Sequence, residues 1–441
     1  MRRVFLLQAL FLMISVANCT YSQNEIIGNW RGAVERLGSV QIVEFSFYLS
    51  GDSIKGSYNI PDMGLFEEPV NEISYTKPGL SFDFFMGTFK TLYDEQNDEI
   101  TGENKDWKPA VNIDLKRYIP AREPFEKEYI HFNNKVNLTY GTLFKPLGKR
   151  QFPVVVIIHG SEEPVRTNWR YRYFAYMLAR NGYGALIYDK QGNDSSTGNK
   201  DADFSELAGD VNSAVQYLKT RNDVEKNKVG ILGISRGGWV SEIAAAKYPD
   251  INFTILFVGP SVSTWHQELD AVKYTMLDEK YDSGQIDSAL AHTRLYFKTV
   301  KDTSYWSEFY ESVLAVKDRK WAERMQLPQS VNDSDMIWWR KNNYDPETDL
   351  KNIKTPVLAI FGEKDVYVPP AENEAKMREY LNLSGVEYDI KIIPRMPHSF
   401  HFNQTLKGGE WKWPESYWVW PKRSLLAEET IINWMKRICD E

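Results

Sequence analysis

The chain has 441 residues, 42% of them hydrophobic and 26% charged, with a formal net charge of -7. This is the composition of a soluble globular protein, and it excludes disordered, collagenous and multi-span membrane classes. The acidic balance supplies no basic surface for nucleic acid. Only Cys19 and Cys439 are present and no histidine pair stands in an HExxH-type context, so no disulfide scaffold and no metal site is expected.

At the N-terminus, Arg2 and Arg3 precede the apolar run Val4–Ala17, which is shorter than the roughly 20 residues of a spanning helix. The pattern predicts a signal peptide over residues 1–22 and export to the periplasm or beyond the cell. Val16-Ala17-Asn18-Cys19 resembles a lipoprotein box, although Asn18 stands where that motif prefers a small residue. Lipid anchoring at Cys19, the one route to a membrane, and cleavage after Ser22 both stay open.

Residues 24–120 show short apolar and aromatic runs broken by turn residues, without helical recurrence. Val40–Leu49 precedes Ser50-Gly51-Asp52-Ser53, and Ile73–Tyr75 and Leu80–Phe84 flank Lys77-Pro78-Gly79. About eight strands fit, enough for a small all-β barrel or sandwich whose aromatics fill its core, with an apolar ligand as the alternative use of such an interior.

After Pro120–Pro124 the grammar changes. Residues 121–441 alternate buried strands with amphipathic helices, which predicts an α/β domain: a mostly parallel central sheet with helices on both faces. The expected strands are Val154–Ile158, Ala185–Tyr188, Val229–Leu232, Thr254–Val258, Val357–Phe361 and Tyr388–Ile393. Phe204, Leu207, Ala208, Val211, Val215 and Leu218 recur at helical spacing behind Asp203, a candidate N-cap.

Gly233-Ile234-Ser235-Arg236-Gly237 joins such a strand to a helix. In that context the flanking glycines permit a sharp turn that exposes the serine hydroxyl, so Ser235 is the candidate nucleophile. The Arg236 amide opens the helix and is one candidate oxyanion donor. The other is Ser161 or Gly160, in the His159-Gly160-Ser161 turn after an early strand; His159 is read as shaping that loop. A serine needs a base. His398 follows the last strand and is the candidate, with His401 as its rival. Asp365 follows the strand Val357–Phe361 and is the candidate acid, with Glu363 as rival. No cofactor is needed for this chemistry.

Together these residues resemble the α/β-hydrolase superfamily, and within it the prolyl-oligopeptidase-like and dienelactone-hydrolase-like esterases, over residues 125–441. Tyr188–Ser195 and the helix opening Phe204-Ser205-Glu206-Leu207 fit the same pattern. The β-rich half, with Gly28-Asn29-Trp30 and Tyr58–Asp62, is similar to the N-terminal module of exported esterases in Bacteroidetes-type bacteria. Three departures stand out. Glu162 and Glu163 replace the usual glycine, and a carboxylate there opposes oxyanion charge unless it points away or pairs, with Arg166 for example. Gln191 and Asp194 alter the next loop, and Arg236 follows the nucleophile.

Against lidless relatives, residues 262–350 form an insertion, expected to be a helical lid. Its Trp265, Trp338 and Trp339 are candidates to line a substrate pocket, with Glu162 as a polar contact; the rings could equally pack the lid onto the sheet. The resemblance implies an exported serine hydrolase acting on small-molecule carboxylic esters through an acyl-enzyme. A thioesterase, a small-peptide exopeptidase using Glu162 or Glu163 for a substrate amine, and a catalytically silent ligand-binding protein are the alternatives.

Overall fold

The structure is a computed structural model that describes residues 24–134, 136–399, 401–402 and 419–440. The expected leader and Cys19 lie outside these residues. No described helix is long and apolar enough to cross a membrane. The chain divides into two compact units, one comprising residues up to Arg122 together with Phe402–Arg423, the other comprising Glu123–His401 and Ser424–Glu441.

The first unit is a closed eight-stranded antiparallel barrel, not a sandwich: β1 Gly28–Arg36, β2 Ser39–Ser50, β3 Ser53–Ile60, β4 Leu65–Thr76, β5 Gly79–Phe84, β6 Gly87–Asp94, β7 Glu99–Asn104 and β8 Val111–Arg117. Each strand pairs with its neighbour in sequence, and β1 closes onto β8 with Trp30 opposite Arg117. Strict alternation explains the closure: Val43, Phe45 and Phe47 of β2 point inward while their neighbours face out. The interior is filled by rings, with Phe45 and Phe84 centroids 5.0 Å apart and Phe84 and Phe89 4.9 Å apart, as a barrel of this strand number allows. Residues 419–423 also belong here, because Trp420 is buried and its indole donates to the Ser39 carbonyl (3.2 Å) while Arg423 donates to that of Pro61 (2.5 Å). The single α/β run expected over 121–441 is thus interrupted by a segment whose polar groups are satisfied on the barrel.

The second unit is built on an eight-stranded sheet of β9 Phe125–Asn134, β10 Asn137–Pro146, β11 Phe152–Ile158, β12 Gly184–Tyr188, β13 Val224–Ile234, β14 Thr254–Phe257, β15 Val357–Gly362 and β16 Tyr388–Ile393, in the order β16-β15-β14-β13-β11-β12-β10-β9. The six strands from β16 to β12 are parallel, and β10 and β9 extend the sheet antiparallel. β11 is buried along its whole length, as a central strand covered on both faces must be, whereas β16 at the edge is half-exposed. Each expected strand overlaps one of these. β14 stops at Phe257 because Val258 adopts a positive φ of 47°.

The helices of this unit are α1 Trp169–Arg180, α2 Phe204–Thr220, α3 Gly237–Lys247, α4 Thr264–Asp278, α5 Ser283–Lys301, α6 Trp306–Val316, α7 Ser334–Lys341, α8 Glu347–Asn352, α9 Pro370–Ser384 and α10 Leu425–Asp440. α2 starts at Asp203 in a capping box with Glu206, satisfying two otherwise unpaired amides. The insertion between β14 and β15 is helical and carries its own apolar clusters. One gathers Met276, Leu290 and Trp321; the other gathers Tyr296, Phe309 and Trp339.

Candidate active site

The serine turn is dictated by packing. Ser235 has φ of 52°, in the left-handed region that costs a non-glycine residue energy and that the surrounding structure must over-determine. The constraint is visible at its flanks: a Cβ on Gly233 would stand 2.1 Å from Ser241 Oγ, and one on Gly237 2.6 Å from the Ile158 carbonyl oxygen. Ser235 itself is pinned by its amide on the Phe257 carbonyl (2.9 Å) and by its carbonyl accepting from the Gly238 amide (2.7 Å).

Two further loops at the same sheet edge meet this turn. Asp365 follows β15, and its buried carboxylate accepts from the Tyr367 and Val368 amides at 2.9 and 2.8 Å. Its other oxygen accepts from His398 Nδ1 at 2.7 Å, and His398 Nε2 lies 2.9 Å from Ser235 Oγ. The carboxylate fixes Nδ1 as the protonated nitrogen, leaving Nε2 to accept from the serine hydroxyl. The acid and base loops are also tied to each other, Lys364 donating its amide to the Met396 carbonyl and Glu363 its amide to that of Ile393, both at 3.0 Å. Of the rival residues, Glu363 accepts from the Arg395 amide and His401 bonds the Ser399 carbonyl, so neither takes part in this chain of contacts.

Ser235 and His398 open into a cavity of about 670 Å³, within the usual range for small-ligand pockets. Gly160, Ser161 and Arg236 line it together. Among the described residues neither the Ser161 nor the Arg236 amide has a hydrogen-bond acceptor, and Arg236 immediately precedes α3, where unpaired amides and the helix dipole favour negative charge. His159 is buried, donates Nε2–H to the Tyr188 carbonyl at 2.6 Å, and burial lowers its pKa to about 3. It stays neutral and shapes its loop.

The departures in charge are resolved locally. Glu162 lines the cavity but pairs with Arg170 at 2.8 Å, not with Arg166; Arg166 is engaged by Asp189. The reason is α1, which carries Arg170 in its first turn beside Glu162. Gln191 donates to Asp210 at 2.9 Å. The Arg236 guanidinium lies over the Trp338 ring at 4.4 Å, and burial pulls its pKa down. Glu268, on α4, also lines the cavity; burial pushes its carboxyl up to about 7, with the Arg236 charge working against that rise.

The tryptophans expected at the pocket are placed otherwise. Trp339 is buried against Phe297 within the insertion, Trp265 stacks on His266, and Trp338 faces a small side cavity beneath Arg236. None of the three lines the cavity at Ser235, because the insertion uses these rings to build its own core and to seat on the sheet. The residues that do line it, and that the sequence reading missed, include Tyr171, Trp239, Gln267 and Met276. Trp239 was within reach, standing one helical turn after Ser235.

Comparison with known proteins agrees with this architecture. The chain is 28% identical over 140 residues to a Synechocystis protein carrying the name carboxymethylenebutenolidase, covering 28% of this chain and 55% of that one. It is 22% identical over 275 residues to the proline iminopeptidase PfmaB of Pestalotiopsis fici, covering 59% and 91%. With the esterase EstD of Thermotoga maritima it shares 25% over 297 residues, covering 64% and 61%. The chain thus spans little more than half the length of the first of these relatives. The family model described as serine aminopeptidase, S33 (Hydrolase_4) matches residues 150–405, more than half of the chain, including all three residues of the hydrogen-bonded set and the whole insertion, and the protein is therefore a member of that α/β-hydrolase family.

Proposed function

We propose that the protein is an exported serine esterase that hydrolyses small-molecule carboxylic esters through an acyl-enzyme. The observation that carries this reading is the unbroken chain from Asp365 through His398 to Ser235, opening into a cavity with two amides, of Ser161 and Arg236, that have no acceptor among the described residues. Ser235 Oγ attacks the ester carbonyl while His398 Nε2 takes its proton, and the developing oxyanion is held by the Ser161 and Arg236 amides. The imidazolium, stabilised by Asp365, protonates the leaving alcohol. Water, deprotonated by the same imidazole, then attacks the acyl-enzyme and releases the acid and the free serine. The helical insertion acts as the lid of the pocket. Export rests on the leader over residues 1–22, and the anchor at Cys19 would add a membrane attachment.

Esters are preferred to peptides because, of the two carboxylates expected to hold a substrate amine, Glu163 does not line the cavity and Glu162 is already paired with Arg170. The test is a comparison of short nitrophenyl esters, acyl thioesters and aminoacyl anilides, with a fluorophosphonate probe on the folded protein. Labelling at Ser235 and fastest turnover of the esters is expected. Faster anilide cleavage would replace the esterase reading by the exopeptidase one, and absence of labelling would replace both by a silent binding protein.

A further inference from the structure

A second cluster of chemically competent side chains lies outside the cavity, between the insertion and the helix that follows the Asp365 loop. His266 and Asp270 stand four residues apart on α4 and therefore share one face. Glu372 approaches them from the first turn of α9. One ligand atom from each lies within 4.8 Å of the others. His266 Nε2 is 3.2 Å from Glu372 Oε2 and 3.9 Å from Asp270 Oδ2.

We propose that His266, Asp270 and Glu372 form a divalent-cation site, best matched to Zn²⁺, that ties α4 to α9. Two donors bound to one zinc ion at about 2.1 Å stand roughly 3.0–3.4 Å apart at angles of 90–110°. The histidine–glutamate separation meets that requirement, and a small rotation of Asp270 brings in the third ligand. The same two atoms, His266 Nε2 and Glu372 Oε2, already stand 3.2 Å apart, the spacing a shared ion would impose.

Charge points the same way. The Asp270 side chain is only 13% exposed, and among the described residues no group donates a hydrogen bond to it. A second carboxylate is held against it. Lys273, one turn along α4, contributes charge without making a contact. Two facing carboxylates and one imidazole nitrogen suit a borderline dication, with water completing its shell. Calcium and magnesium, which prefer all-oxygen sites, fit less well.

The frame is also rigid. Asn373, beside Glu372, accepts from the Ser261 amide at 2.8 Å and from its hydroxyl at 2.5 Å, which fixes the first turn of α9 to the segment leading into α4. On α4, Gln267, Glu268 and Ala271 line the cavity at Ser235, so a bound ion would set the position of one pocket wall. The assignment stands whether the substrate is an ester or a peptide.

The test uses the full chain after chelator treatment, titrated with ZnCl₂ by calorimetry and by thermal unfolding. One ion per chain with Kd on the order of micromolar is expected, together with a Tm rise of a few degrees at saturating zinc. His266→Gln, Asp270→Asn and Glu372→Gln should each weaken binding at least tenfold, whereas Glu374→Gln, on the same helix and paired with Arg378, should not. Co²⁺ should give visible absorption bands that vanish in His266→Gln. No saturable binding, or zinc that binds all three variants as tightly as the parent, would overturn the proposal.

Discussion

The two units solve the problem of a protein interior in different ways. The barrel fills its centre with Phe45, Phe47, Phe82, Phe84 and Phe89, all buried. The second unit instead keeps polar groups at depth: Asp365, His159, Asp210 and Glu242 are all buried, and Ser235 is held at a positive φ. Buried polar groups and backbone strain cost stability wherever they occur. The barrel has strained residues of its own, Leu37, Glu67, Glu72 and Asp98, but no buried acid among its described residues, whereas at Ser235 strain and a buried carboxylate, Asp365, stand together.

That contrast can be broken by substitution. The largest effect is expected for Ser235→Ala, which should lower ester turnover by about 10⁶-fold, as in comparable triads, with circular dichroism and Tm essentially unchanged. Equal loss of turnover and folding would mean that the serine is structural. Asp365→Asn should follow at about 10⁴-fold, since the imidazole is then held in the wrong tautomer; steady-state kinetics on a nitrophenyl ester measures it. In the barrel the direction reverses. Phe82→Ala should cost about 3–5 kcal/mol of stability by opening a cavity among the rings, read by denaturant unfolding, while turnover per folded molecule is retained.

The last effect, read as a slope with pH, is the most diagnostic of buried polarity. Glu242 is fully buried, no described group hydrogen-bonds either carboxylate oxygen, and burial, with Asp349 and Asp345 adding to it, holds its pKa well above the usual 4.5. The folded chain keeps a proton that the unfolded chain releases above about pH 4.5. Unfolding free energy should therefore fall as pH rises from there, by up to about 1.4 kcal/mol per unit, until the folded group ionises in turn. Glu242→Gln should remove this component, so the variant gains on the parent between pH 5 and pH 8 in denaturant titrations. Parallel pH profiles would show that Glu242 is already charged in the folded chain.

Much of the second unit was legible because its signals are local and redundant. A buried strand, a glycine-flanked serine and a helix in sequence leave few alternatives, and His398 and Asp365 each follow a strand whose end must lie at the same edge. The barrel strands were readable from alternation, but closure was not. Pairing of β1 with β8 joins residues nearly ninety positions apart, and no local pattern encodes it. The tryptophans of the insertion failed for a different reason. Each short helix there has more than one neighbour, so an aromatic residue announces burial without saying against what. Glu162 was recognised as anomalous, yet its partner depended on the path of the loop into α1, which chooses Arg170 over Arg166. The Glu268 side chain in the cavity carried no sequence signal at all, being one acid among many on an amphipathic helix.

The return of residues 419–423 to the barrel limits how this polypeptide can be dissected. A fragment beginning at residue 123 would retain Trp420 while discarding the Ser39 carbonyl that receives its indole hydrogen, and Arg423 would lose the Pro61 carbonyl. Such a truncation exposes a large ring that the intact chain covers. Separating the hydrolase portion cleanly therefore takes two excisions, the second bridging the ends left at His401 and Ser424.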